Sequence, residues 1–162
     1  MIEISKSAKI SSFADIEDSN RGSVIRIGDN SVLDSFVKIK PAGGIGDVVI
    51  GSSTFINSGT VIYSGNGVLI GDNVSVAANC TFAPTNHAYL SKDKLIQDQG
   101  FLPSKGGIKV EDDVWIGANC VLLDGAQIGR GAVVAAGSLI MGVLEPYSVY
   151  SGSPLRKVKS RM

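Results

Sequence analysis

The chain has 162 residues, 15 Lys+Arg against 15 Asp+Glu, and 44% hydrophobic residues, which suits one domain with a real core and excludes a large multidomain enzyme. Zero formal net charge removes the electrostatic footprint of a nucleic-acid or anionic-membrane binder. No stretch reaches the roughly 18–20 apolar residues of a membrane span and Met1-Ile2-Glu3-Ile4 lacks a basic leader, so a cytoplasmic protein is expected.

Twenty glycines beside one tryptophan call for a search for repeats. Stepping by six, large apolar residues recur in threes: Ile4, Ile10, Ile16; then Ile27, Leu33, Ile39; then Ile50, Ile56, Ile62; then Ile70, Val76, Phe82. After a gap come Val110, Ile116, Leu122 and Ile128, Val134, Ile140. Two places before each stands a smaller or β-branched residue, such as Val74, Cys80, Val114 or Cys120. Residues two apart on a strand share a face. A period of six fits neither a helix nor hairpins, but it fits a short strand and a turn repeated three times per coil. Gly28, Gly51, Gly71, Gly117 and Gly129 directly follow large positions and are expected to supply positive φ at the turns. The fold class is therefore all-β: a parallel β-helix of about six triangular coils, stacked at roughly 4.8 Å.

The breaks in register carry information too. The steps from Ile16 to Ile27, Ile39 to Ile50 and Ile62 to Ile70 exceed six, as small corner insertions would produce. The segment 83–107, with Pro84, His87, Tyr89, Lys92-Asp93-Lys94, Gly100 and Pro103, reads as a long protruding loop, and such loops are commonly functional. The predicted organisation is a single domain over 1–162, with coils at 1–82 and 108–142, loop 83–107 and a short tail 143–162. Cys80 and Cys120 occupy the small inward position in adjacent coils and are expected to be buried, inert thiols. Trp115 lies between inward Val114 and Ile116, so its ring is expected outside, against a partner or ligand.

Several segments resemble the hexapeptide-repeat (left-handed parallel β-helix) acyltransferases, most of all the sugar and polysaccharide O-acetyltransferase branch. The carrying residues are Ile70-Gly71-Asp72-Asn73-Val74, Thr85-Asn86-His87-Ala88-Tyr89, Asp98-Gln99-Gly100, Asp112-Asp113-Val114-Trp115-Ile116-Gly117-Ala118-Asn119, Ala135-Ala136-Gly137-Ser138 and Gly152-Ser153-Pro154. The left-handed sense comes from this resemblance alone. So do the roles it implies: acetyl-CoA as acetyl donor, a homotrimer with sites between subunits, and a sugar or glycan acceptor in surface-polysaccharide biosynthesis.

The resemblance makes His87 the general base on the acceptor. The chemistry needs one, since an alcohol is a weak nucleophile and an imidazole of ordinary pKa near 6.5 can take its proton at neutral pH. It also implies Trp115 near the donor groove, Ala118 and Ala136 along the pantetheine arm, and Arg156 and Lys159 at the coenzyme A phosphates. Asn57 and Gln99 are the implied acceptor contacts. Leu155-Arg156 and Met141-Gly142 depart from the commoner residues at those places, and Gly59 replaces an asparagine that touches sugar in some relatives. The runner-up reading is N-acetylation of a nucleotide-linked amino sugar, which the same base would serve. A γ-type carbonic anhydrase needs three histidines at a subunit interface, against one per chain here, so no metal is expected. A non-catalytic scaffold is the remaining class.

Overall fold

The computed structural model describes residues 1–162 as a left-handed parallel β-helix. Three parallel sheets form the faces of a triangular prism. The first face stacks Ile2–Ile4, Ile25–Ile27, Val48–Ile50, Val68–Ile70, Ile108–Val110, Gln127–Ile128 and Val143–Leu144. The second holds Lys9–Ile10, Val32–Leu33, Phe55–Ile56, Ser75–Val76, Trp115–Ile116, Val133–Val134 and Ser148–Ser151. The third holds Asp15–Ile16, Lys38–Lys40, Val61–Tyr63, Thr81–Ala83, Val121–Leu123 and Leu139–Ile140. The register pairs hexad with hexad: Ile70 faces both Ile50 and Val110, and Ile116 faces both Val76 and Val134. No helix is long and apolar enough to cross a membrane.

One continuous core runs from Ile25 to Tyr150, built from the large hexad residues and the smaller ones two places before them. At the open end, Ile2, Ala8, Ile10, Ala14 and Ile16 pack on this core only partly buried, and Ile4 is exposed. The small inward positions also satisfy backbone. The hydroxyls of Ser31 and Thr54 donate to the carbonyls of Gly51 and Gly71 at 2.6 and 2.8 Å, and the Cys80 and Cys120 thiols donate to those of Gly117 and Ala135, each at 3.2 Å. Each bond ties a turn to the coil above it, which explains Ser, Thr and Cys where size alone would accept Ala. Both cysteines are buried and free, and the neighbouring Cys120 together with burial pushes the Cys80 thiol up.

Two expectations need correction. The glycines directly after the large residues do not supply positive φ. That role falls three places after many of the large residues, on Asn30, Phe36, Ser53, Asn73, Asn79, Asp113 and Asn119 and on glycines such as Gly59, Gly131 and Gly137. Gly28, Gly51, Gly117 and Gly129 are instead required by close stacking: an added Cβ would lie 2.5–2.7 Å from backbone of the next coil. The tail is also not free of the repeat. Val143–Leu144 and Ser148–Ser151 begin a seventh coil, with Leu144 and Tyr150 buried. Only four residues separate Ile140 from Leu144, so a shortened corner hides the continuing period. The chain then reverses, and Arg156–Ser160 pairs antiparallel with Ser148–Ser151 along the second face.

Candidate active site

The loop leaves the third face after Thr81–Ala83 and returns to the first at Ile108–Val110, so it projects from the edge between those faces. Its base is a pair of antiparallel segments. Ala88 N–H donates to the Gly100 carbonyl at 3.0 Å and Leu102 N–H to that of Asn86 at 2.8 Å, with His87 opposite Phe101. A single 3₁₀ turn, Ile96–Asp98, closes the far end.

Asp124 secures the return of the loop. Buried beneath it, its carboxylate accepts from the N–H groups of Lys105 and Gly107 at 2.8 and 2.9 Å and from Asn66 Nδ2 at 3.1 Å. Gly125 N–H donates back to the Gly107 carbonyl at 2.7 Å. Nothing in the sequence pattern marked Asp124, because it sits in a turn of the coil that follows the loop.

His87 is exposed, and its ring packs on Phe101 at a centroid distance of 4.7 Å. No group of this chain hydrogen-bonds its imidazole, which leaves both ring nitrogens open to a ligand. It borders two depressions. One, of about 750 Å³, is formed by the loop itself and lined by Tyr89, Ser91, Lys92, Lys94 and Leu95 among others. The second, of about 310 Å³, lies at the root and includes Ala42, Tyr63, Thr85 and Phe101.

The other expected residues lie along a different edge. Trp115 is 57% exposed on the second face, in line with Val133 and Val149 on the adjoining strands. Ala118 and Ala136 follow in successive coils at the edge between the second and third faces, tied by Gly137 N–H to the Ala118 carbonyl at 2.8 Å. Gly152 N–H reaches Ser138 Oγ at 3.1 Å, which brings the final turn onto the same edge. Arg156 stands opposite Ser151 and Lys159 opposite Val149.

The cations of this last strand divide cleanly. Lys157 pairs with Glu145 at 2.5 Å, a bond that raises its pKa, and Arg161 pairs with Asp113 at 3.0 Å. Arg156 and Lys159 are exposed and have no acidic partner. Within one chain, His87 and the Trp115, Ala118, Ala136 and Arg156 series therefore occupy different edges of the prism.

The two expected acceptor contacts fare differently. Gln99 turns inward on its own loop: Oε1 accepts from Ser91 N–H at 3.0 Å, while Nε2 donates to the carbonyls of Ser91 and Lys94 at 2.8 and 3.0 Å. Its amide is thus bonded within the loop. Asn57 donates from Nδ2 to the Val76 carbonyl at 2.7 Å. It lies on the edge of Ala118, away from His87 of its own chain. No three His, Cys, Asp or Glu side chains converge as a metal site would require.

Residues 107–142 match the family described as bacterial transferase hexapeptide (six repeats). The structure superposes on a hexapeptide-repeat-containing acetyltransferase from Vibrio cholerae O1 biovar eltor, complexed with acetyl-coenzyme A. That match has a TM-score of 0.74 and 30% identity, and covers 84% of this chain and 70% of that one. The chain belongs to the hexapeptide-repeat acyltransferase family. The structure is also similar to AntD, an N-acyltransferase from Bacillus cereus. A variant of it in complex with dTDP-4-amino-4,6-dideoxyglucose and coenzyme A matches with a TM-score of 0.82 and 26% identity, over 99% of this chain and 84% of that one. A probable macrolide acetyltransferase from Lysinibacillus sphaericus is 47% identical over 60 residues, 37% of this chain and 33% of that protein. The matched part amounts to between a quarter and a third of the length of such curated relatives.

Proposed function

We propose that this chain transfers an acetyl group from acetyl-CoA to a sugar, with His87 as general base. The observation that carries the reading is an exposed imidazole, free of partners within the chain, at the junction of two depressions on a hexapeptide-repeat prism. Of the two nucleophiles, the amine of a nucleotide-linked amino sugar is favoured by the similarity to AntD over nearly the whole chain. A sugar hydroxyl is the second reading, supported by Thr85-Asn86-His87 and Asp98-Gln99-Gly100.

The chemistry balances without a covalent enzyme intermediate. The acceptor nitrogen or oxygen attacks the thioester carbonyl carbon while His87 takes its proton. The tetrahedral oxyanion collapses, the C–S bond breaks, and the departing thiolate recovers that proton from the imidazolium. The buried thiols of Cys80 and Cys120 have no part in it.

Acetyl-CoA would lie along Trp115, Ala118 and Ala136, with Arg156 and Lys159 at its phosphates. The backbone N–H groups of Ala118 and Ala136 have no partner within the chain and suit an amide-bearing arm. Because this edge and His87 are separated in one chain, a complete site needs a second subunit, and a homotrimer supplies three such pairings. A cytoplasmic location belongs to the same reading, since it gives access to acetyl-CoA.

The test is release of free coenzyme A thiol from acetyl-CoA in the presence of dTDP-4-amino-4,6-dideoxyglucose, other nucleotide-linked amino sugars, and sugars with hydroxyls only. Acceptor-dependent release above hydrolysis is expected, and its pattern separates amine from hydroxyl. A folded protein that binds acetyl-CoA but releases no thiol with any acceptor would refute the reading.

A further inference from the structure

The insertion between Ile39 and Ile50 is built as a wall. Gly46 N–H donates to the Gly65 carbonyl at 2.9 Å, Gly65 N–H to that of Ala42 at 3.0 Å, and Thr85 Oγ1 to that of Gly43 at 3.3 Å. Glycine permits the close approach. A Cβ on Gly44 would lie 2.7 Å from the Gly65 carbonyl carbon, and one on Gly65 would lie 2.8 Å from Pro84 Cγ. Three successive corners are thereby pinned together, and against them stand Tyr63, Phe101 and His87, enclosing about 310 Å³. Tyr63 and Phe101 are 37% and 49% exposed, and both rings line this pocket. No residue lining this pocket is charged, whereas Lys92 and Lys94 line the depression on the other side of His87.

We propose that this neutral aromatic pocket is the acceptor subsite and receives one pyranose ring. The apolar C–H face of the ring lies against Tyr63 and Phe101, and its amine or hydroxyl is presented to His87. A volume near the lower end of small-molecule sites, about 300 Å³, admits a single ring and leaves the rest of a nucleotide sugar or glycan outside. This assignment rests on the acyltransferase reading, and it draws on residues that the sequence pattern did not mark.

Ala42→Trp fills the pocket from an exposed position whose backbone bonds the substitution keeps. With the acceptor found in the thiol-release assay, its KM should rise at least tenfold, while the KM for acetyl-CoA stays within twofold. Tyr63→Ala should act in the same direction and Tyr63→Phe should retain near-normal acceptor KM. Saturation-transfer NMR with dTDP-4-amino-4,6-dideoxyglucose as probe needs no turnover, and its sugar protons should lose their transfer in both Ala42→Trp and Tyr63→Ala.

An unchanged acceptor KM in Ala42→Trp and Tyr63→Ala overturns the assignment. So does an equal rise in the KM for acetyl-CoA, an acceptor KM that responds only to Lys92→Ala with Lys94→Ala, or no transfer to the probe's sugar ring in the wild type. Failure of the acyltransferase reading looks different: the wild-type protein would release no thiol with any acceptor, whether or not acetyl-CoA binds.

Discussion

Replacing His87 by alanine separates a catalytic role from a structural one, because the structure fixes how little stability the side chain can contribute. The imidazole has no hydrogen-bond partner in the chain and one ring contact, Phe101 at 4.7 Å. Such aromatic pairs contribute about 0.5–1.5 kcal/mol, and exposure of both rings puts this one at the low end. The two hydrogen bonds that hold the loop base, Ala88 to Gly100 and Leu102 to Asn86, use backbone and survive the substitution. A loss of under about 1 kcal/mol lowers Tm by no more than roughly 2–4 °C in a chain of this size. Loss of a positioned general base lowers kcat by about 10²–10⁴, which is about 2.7–5.4 kcal/mol of transition-state stabilisation. Thiol release measured beside thermal unfolding should therefore show a near-intact fold with almost no turnover and an unchanged KM for acetyl-CoA. Near-normal turnover in a folded variant would refute the assignment and leave Asp93 and Asp98 as the loop's candidate bases.

Arg156→Ala with Lys159→Ala should raise the KM for acetyl-CoA about tenfold or more and change kcat little, since contacts to distant phosphates exist in ground and transition states alike; added salt should weaken donor binding more in the wild type. Asp124→Ala leaves the Lys105 and Gly107 N–H groups without their acceptor, at about 1–3 kcal/mol for each that stays buried. Native-state hydrogen exchange should show those two amides losing protection, and kcat should fall as the return strand beside His87 loosens. Gly117→Ala should cost about 1–3 kcal/mol, because its Cβ would lie 2.5 Å from Ala136 N. Gly137→Asn should be within about 0.5 kcal/mol of neutral, because nothing lies within 4 Å and Asn79 and Asn119 already hold that turn position.

The last two substitutions show where reading the sequence succeeded and where it stopped. The large residues from Ile27 to Ile140 are visible because each pays its burial individually, so each position accepts only a large apolar side chain. Glycine has two physical uses that look identical in one sequence, freedom at positive φ and absence of a Cβ. Gly117 and Gly137 occupy neighbouring turns and serve one use each. The distinction depends on where the next coil lies, which a period of six does not contain. Leu144 was lost for a related reason: the core tolerates a corner two residues short, while a search that steps by six does not.

The site divides along the same line. His87, Trp115, Arg156 and Lys159 were candidates in the sequence because the family resemblance points to them and each also stands out: a lone histidine, an outward tryptophan, cations in a tail without acids. Asp124, Tyr63 and Phe101 carry no such mark, because what matters about them is proximity across coils. Asn66 and Asp124 meet over 58 positions of sequence, and the wall that faces His87 comes from a corner two coils earlier. A solenoid makes its core predictable by repeating one local rule, but it builds its site from the exceptions. The corner insertions and the long loop project from one edge, where successive coils place them side by side. On the proposed reading, chemical specificity in such a chain resides in which coils carry insertions at a shared edge, and here the corners of Ala42 and Tyr63 meet the long loop at His87.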